Sequence, residues 1–562
     1  MSIDINTIQT DVLIVGAGPV GLMTALLLEK VGLDYVVVER RPGLHTAPQA
    51  HVITSRTLEI CRSIGISDVT IRDAGPQLSD AMNIRWVDRL TGRDLGLFSL
   101  GSDPTAVMRL LSNSPTPTTN LSQDQFEQVL FDHLPETAKV HFDHAWQSFE
   151  TSAEEYISTV TGPQGNSMAV ASRYVIGADG AGSRVRKAIG ANMVGPDNLQ
   201  TFVNIHFTAN LREQLHGREG LLYWVMDKAC EGTFIAHEID SNWIFMKTVD
   251  PDEAIEPIDE EKFGALLRKA IGMDVDLTIN SMNFWRMTAQ ISDAYQSDKV
   301  FLVGDAAHRF PPTGGIGMNT GIQDAHNLVW KIAMVERGID PALLKTYETE
   351  RKPVAETNSE QSLANSMKMF EVAHALDVDG DKRISMSDID AVMADSERRT
   401  DVQNAIDRQA AHFNMSGLDL GFYYTSTAVR VDGTPPQSDN PVSHYLPSIT
   451  PGARMPHAWL LSGEVRQSTL DLISYGNLLV MTTVPAIDIK QAVNQLKQAG
   501  YPIDLVHVGE GADIQPADDT FEGLFNRKVL LVRPDGHIAA CFDADSAANE
   551  LGDVVRALFP RG

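Results

Sequence analysis

Short runs of consecutive apolar residues alternate with helix-length segments at the start of this chain. Residues 11–15 (Asp-Val-Leu-Ile-Val) read as a strand buried on both faces, 19–31 as the helix that follows, and 35–39 as a second buried strand. A βαβ unit therefore opens the fold. Residues 43–50 read as loop and 55–65 as helix. Across 76–118 the pattern is mixed strand and turn, and Pro104, Pro115 and Pro117 are expected to break any long helix. Ser122-Gln-Asp-Gln125 predicts a capped helix start, with Phe126, Val129 and Leu130 on one face.

From about 140 to 176, short alternating strands lead to Asp179-Gly180. Residues 201–249 alternate again, as an antiparallel sheet with one covered face would. A strand over 300–303 and a helix over 321–337 return the chain to the opening unit. The expected fold is α/β: a Rossmann-like domain from 1–75, 119–185 and 286–360, interrupted by a mixed-sheet domain from 76–118 and 186–285. A helical segment follows over 361–429, then a proline-rich linker over 430–452. The tail, 453–562, has the strand and helix order of a thioredoxin-like module but lacks any CxxC.

Composition narrows the function. The chain has 562 residues and a formal net charge of −28, with no basic stripe to neutralise phosphates. That excludes nucleic acid and anionic membrane surfaces as expected partners. Cys61, Cys230 and Cys541 are scattered, which fits a reduced cytoplasmic compartment without a disulfide framework. The most apolar segment, 12–28, carries three glycines and a proline and is too broken to span a membrane. No basic stretch precedes it as in a signal peptide. A soluble, cytoplasmic protein is expected.

Two motifs carry chemistry. Gly16-Ala-Gly18-Pro19-Val20-Gly21 joins the first strand to its helix, and Glu39 ends the next strand. The first glycine makes the tight turn and the second lets backbone approach a pyrophosphate at the helix N-terminus. Glu39 can accept a hydrogen bond from a ribose hydroxyl. Far downstream, residues 301–319 run from a strand into Gly304-Asp305, a proline pair and the glycine-rich loop Thr313-Gly-Gly-Ile-Gly-Met-Asn319. That order suits backbone laid flat against a large planar cofactor, with Asp305 placed to accept from sugar-type hydroxyls. Asp179-Gly180-Ala-Gly-Ser183-x-x-Arg186 is by itself equally a surface turn. Together the motifs imply one dinucleotide gripped by both ends of a long domain.

Over its whole length the set resembles the single-component FAD-dependent aromatic hydroxylases, in their phenol hydroxylase branch. Ala50-His51-Val52-Ile53, Arg56-Thr57-x-Glu59-Ile60 and Tyr223-Trp224 resemble the 2-hydroxybiphenyl and chlorophenol hydroxylases most. The resemblance implies FAD as cofactor, NADPH or NADH as transient co-substrate, O2, and a small phenolic substrate hydroxylated ortho to its hydroxyl through a C4a-hydroperoxyflavin. It also implies a homodimer or higher homo-oligomer. Gly16, Gly18, Pro19, Val20, Gly21 and Glu39 would hold the adenosine end. Gln123 and Arg186 would lie near the phosphates, Asp179 would also be a cofactor-binding residue, and Asp305 would hold the ribityl chain. Pro312 and the backbone at Gly317, Met318 and Asn319 would meet the flavin.

Pro311, Tyr223 and Trp224 would line the substrate pocket. His51 would be the catalytic base: oxygen transfer to a ring is electrophilic, a phenolate is the better nucleophile, and an imidazole of pKa about 6.5 can take the phenolic proton. His308 would brace the Gly304-Asp305 loop. One departure is Pro48-Gln49-Ala50, where the family usually has Pro-Arg-Ala; Arg40 or Arg41 would supply the missing cation. Residues 377–388 match a calcium loop in spacing, but Lys382 replaces its glycine and Asp388 its glutamate, so a solvated helix–helix turn without metal is expected. A flavin oxidase or dehydrogenase, a non-catalytic flavoprotein, and a hydroxylase of larger polyketide-type phenols are the alternatives.

Overall fold

A computed structural model describes residues 7–562 other than 153, 251, 253, 255, 256, 378, 379, 381–383 and 486. The strand Thr7–Val15 pairs in parallel with Tyr35–Val38 on one side and Ser167–Gly177 on the other. Val300–Leu302 adds in parallel beyond Ser167–Gly177. Burial on both faces explains why these strands are continuous apolar runs and do not alternate. The helix Pro19–Val31 covers one face and ends on Gly32, whose positive φ of 76° closes the turn.

A second sheet of seven strands has the order Thr278–Met287, Gln200–Thr208, Asn242–Val249, Gly232–Glu238, Leu222–Val225, Asn83–Val87, Asp94–Ser99. Neighbours are antiparallel, except that Leu222–Val225 and Asn83–Val87 run in parallel. Phe207, Tyr223, Phe234, Trp243 and Phe245 fill one face and pack with Phe263 and Leu267 of the helix Glu260–Ile271. The other face is turned to the cavity described below.

Two long helices, Gly317–Glu336 and Thr346–Leu376, lie between these sheets and the C-terminal part of the chain. There, a four-stranded sheet has the order Ile503–His507, Leu478–Thr482, Lys528–Val532, Ile538–Asp543. Its residues Leu478, Val480, Val529 and Leu531 share one apolar cluster with Leu28, Trp330 and Met334. Buried charge adds to that docking. Arg533 donates to Glu350 at 2.6 Å and to Asp535 at 2.5 Å, Lys331 reaches Glu350 at 2.8 Å, and all four side chains are at most 1% exposed. Arg454 clasps Glu59, which also receives Arg56.

Several expectations are revised. Pro104 does not break a helix but begins one: Pro104–Asn113 starts behind Asp103, whose carboxylate accepts from the N–H groups of Thr105 and Ala106. Proline at the first helical position loses no bond, because that N–H has no intrahelical partner. Ser122 precedes the helix Gln123–Asp132 as expected, but its hydroxyl donates to the Gln125 side chain and forms no backbone cap. A small sheet of Val465–Ser468, Trp459–Ser462 and Ile514–Pro516 was not anticipated. In the calcium-like loop, Asp379, Asp381 and Lys382 lie outside the described residues.

Candidate active site

One continuous cavity of about 1750 Å³ runs from the opening glycine turn, past the 304–318 loop, to the open face of the seven-stranded sheet. Ligand pockets commonly measure about 300–1,000 Å³, so this one has room for a dinucleotide and a second molecule.

The nucleotide end is shaped by what glycine leaves out. Gly16 has φ +108°, and a Cβ there would sit 2.3 Å from the Ala178 carbonyl oxygen. A Cβ on Gly21 would sit 1.9 Å from the Gly16 carbonyl oxygen. Both glycines let strand and helix close on each other. Gly18 is different: nothing lies within 4 Å of its would-be Cβ, so the space above the helix start is open. Pro19 and Val20 line the same wall, while Gly21 lies behind it. Exposed backbone donors at the start of a helix suit a pyrophosphate.

Glu39 lies on the rim and is already well supplied with donors. Its carboxylate accepts from the Ala17 N–H at 2.9 Å, the Arg41 N–H at 2.8 Å and the Arg41 guanidinium at 3.0 and 3.2 Å. Burial alone would raise its pKa; these donors and the Arg41 charge hold it below the usual carboxylate value. A ribose hydroxyl there competes with Arg41 for the carboxylate. Arg41 is thereby engaged, whereas Arg40 stands exposed at the cavity wall with no ion-pair partner among the described residues. Gln123 lines the cavity, and its amide donates to Glu127 at 2.9 Å.

Asp179 also lines the cavity, but its carboxylate caps the next helix. It accepts from Ser183 Oγ, Arg184 N–H and Val185 N–H. Burial raises its pKa against those hydrogen bonds. Arg186 does not reach the cavity. Its guanidinium donates to the carbonyls of Ala306 and Ala181 and braces the two loops from behind.

At the far end of the dinucleotide site, Asp305 presents a carboxylate to the cavity with no hydrogen-bonded protein partner among the described residues. The surrounding protein raises its pKa, while His308 and Arg309 pull it the other way. Asp324 supports this loop from below, accepting from Gly304 N–H at 3.2 Å and Arg351 Nε at 2.7 Å, with His308 Nε2 at 2.7 Å. Pro311, Pro312, Gly317 and Met318 form the wall. The Asn319 side chain is buried and turned into the protein. Its amide donates to the carbonyls of Val52 and Gly315 and accepts from Thr54 N–H and Thr57 Oγ1. It thus ties the glycine loop to the segment carrying His51.

His51 lies on the cavity wall, with Nδ1 3.1 Å from Asn120 Oδ1. His237 meets it edge to face at 5.7 Å between ring centres. Burial lowers the pKa of both rings, though the Asn120 hydrogen bond opposes the effect in His51. His237 falls where the pairing of Gly232–Glu238 with Asn242–Val249 shifts register, a bulge that re-aims its side chain.

Strand alternation separates the two aromatics expected in the pocket. Trp224 lines the cavity with Leu222 and Met226, whereas Tyr223 points into the opposite core, 6.2 Å from Trp243, with its hydroxyl donated to the Arg218 carbonyl. Asn120, His237 and His412 are the site residues that the sequence reading missed. Strand pairing brings Asn120 beside the His51 segment, a short helix carries His412, and the bulge at His237 leaves no signal of its own.

The comparisons agree with this geometry. Residues 9–362 match the FAD binding domain family, and residues 448–561 match the aromatic-ring hydroxylase C-terminal family. The chain belongs to the FAD-dependent aromatic-ring hydroxylases. A 2,4-dichlorophenol 6-monooxygenase of Cupriavidus pinatubonensis is 30% identical across 98% of this chain and 96% of its own. A tetracenomycin A2 monooxygenase-dioxygenase of Streptomyces glaucescens is 30% identical across 99% and 98%. The flavin-dependent monooxygenase PieE, solved in complex with FAD and substrate, superposes with a TM-score of 0.91 at 30% identity, covering 98% of this chain and 99% of that one. Within the family, this chain falls in the phenol hydroxylase branch. It is a flavoprotein aromatic monooxygenase, and FAD is its cofactor. The open space at Gly18 and the unpartnered Asp305 carboxylate fit that group, with the helix start for its pyrophosphate and Asp305 for the hydroxyls of its ribityl chain.

Proposed function

We propose that this chain hydroxylates a phenol ortho to its hydroxyl, using NADH or NADPH and O2, with His51 as the base. When bound, FAD would supply the redox chemistry: hydride acceptance from the nicotinamide and activation of O2. In the net reaction one oxygen atom enters the ring and the other leaves as water. The residues of the chain handle the proton and the water.

The observation that carries the reading is the His51–Asn120 pair. With Asn120 Oδ1 accepting, His51 Nδ1 bears the hydrogen and Nε2 keeps its lone pair. Burial keeps the ring neutral at working pH. His51 Nε2 takes the phenolic proton, and the phenolate oxygen then raises electron density at the ortho carbon. The apolar sheet wall of Leu222, Ile235 and Ile244 excludes water while the oxygen is delivered. Arg40 is available for a phosphate of the visiting nicotinamide. Three free cysteines, two buried and one half-buried, support a reducing cytoplasm. The separate cores of the two large sheets support the division expected between the first domain and the mixed-sheet domain.

The test is a panel of phenols scored for stimulated NAD(P)H oxidation, O2 uptake and product mass. Ortho-dihydroxylated products are expected. Substrate oxidation with no oxygen inserted, and no need for nicotinamide, would point instead to an oxidase.

A further inference from the structure

A hydroxyl that gives its proton to His51 is left as a buried anion, and a neutral imidazole acceptor offers that anion nothing. Burial and the Asn120 hydrogen bond are the two influences on the His51 pKa, and no neighbouring charge is among them. A buried oxyanion with neither a cation nor a donor beside it is costly. The wall next to His51 supplies a donor.

Asn120 is held against His51 by the backbone. Val52 pairs with Asn120 across two short strands, Leu121 N–H donates to the His51 carbonyl at 2.9 Å, and Gln123 N–H donates to the Ala50 carbonyl at 2.8 Å. Both side chains are half-buried and line the cavity. The ring donates from Nδ1 to Asn120 Oδ1 at 3.1 Å. Two polar atoms of the pair then have no partner among the described residues: His51 Nε2 and Asn120 Nδ2. Neither is sealed in protein, unlike Trp224 Nε1 and Ser281 Oγ of the same cavity wall. The first atom is an acceptor and the second a donor. A hydroxyl satisfies both at once, donating its hydrogen to the ring and accepting from the amide.

Resting on the reading of His51 as the base, we propose that Asn120 is a second catalytic residue, whose Nδ2 donates to the phenolic oxygen. The O–H bond breaks, its proton goes to His51 Nε2, and its electron pair stays on the oxygen. The imidazolium keeps donating from Nδ1 to Asn120 Oδ1, while Nδ2 of the same amide donates to the phenolate. One side chain thus sets the tautomer of the base and holds the anion that the base creates. A hydrogen bond to a charged oxygen is stronger than one to a neutral oxygen, so this donor favours the ionised state over the bound phenol.

A matched pair of probes tests this: 4-chloroanisole and 1-chloro-4-ethylbenzene, nearly equal in shape. The ether oxygen of the first accepts a hydrogen bond but has no hydrogen to give. His51 Nε2 also only accepts, so a preference for the ether reads the amide donor and not the base. Each probe is titrated into the FAD-loaded full-length enzyme and followed by perturbation of the flavin spectrum. The wild type is expected to bind the ether about three- to tenfold more tightly, as one neutral hydrogen bond implies. Asn120→Leu removes the donor. Asn120→Asp keeps an acceptor for His51 Nδ1 but has no N–H, and both variants are expected to bring the ratio close to one. His51→Leu is expected to leave the preference in place. Equal binding of both probes by the wild type, or a preference that survives in both Asn120 variants, would overturn the proposal. So would failure of the ether to bind an enzyme that hydroxylates phenols. The wild-type comparison decides even if a variant fails to fold. The phenol reading is tested separately by product mass from a panel of phenols; absence of product would remove that reading, while the binding ratio would still decide the donor.

Discussion

At the cofactor end the cavity wall is backbone: the turn from Gly16 to Gly21 and the loop from Gly304 to Gly317, shaped by positive φ angles and by side chains left out. At the substrate end the wall is side chains standing off a sheet, among them Trp224, Ile235 and His412, with His51 held by Asn120. At Gly16 and Gly21 the first end tolerates no change, because an added Cβ meets a backbone carbonyl. The second can be refitted one side chain at a time without disturbing the strands. Relatives named for dichlorophenol and for tetracenomycin can thus share one fold with this chain.

Changes at each end should therefore fail differently. Gly21→Val is the harshest, since its Cβ alone would sit 1.9 Å from a carbonyl oxygen; the purified protein is expected to be colourless, with no FAD on reconstitution. Arg533→Met removes the buried cation that Glu350 and Asp535 share and is expected to cost about 3–5 kcal/mol, read by chemical denaturation. Asn319→Ala removes the clamp between the two ends. A loss of about 1–3 kcal/mol is expected, with weaker FAD retention in equilibrium dialysis.

The smallest effect is on pH dependence. His51 must be neutral to act, and burial lowers its pKa from the free value of 6.5. Activity is then retained as pH falls through about 6.5 and is lost only below it. The acidic limb of kcat/KM against pH checks this; a limb at or above that value would show that the ring is not shielded.

The same contrast governs what the sequence revealed. The glycine turns were legible because a positive φ or a close approach imposes one residue type locally. So was the parallel sheet, from its unbroken apolar runs. The substrate wall was legible only in part. Leu222 to Val225 is apolar on both faces, so nothing in the pattern indicates that Trp224 faces the cavity and Tyr223 the core. The helix after Asp103 could have been found, since Asp followed by Pro is a helix-start signal. The link between Glu59 and Arg454 could not, because the two charges lie almost 400 residues apart and only the docked fold brings them together.

The most direct measurement is on His51→Ala, loaded with FAD and reduced by NAD(P)H. The variant is expected to keep a yellow cofactor that NAD(P)H still reduces, while phenol-stimulated product falls by about 10²–10⁴-fold, the usual contribution of a positioned base. Undiminished hydroxylation in that variant would contradict the separation of the cavity into a cofactor end and a proton-taking substrate end.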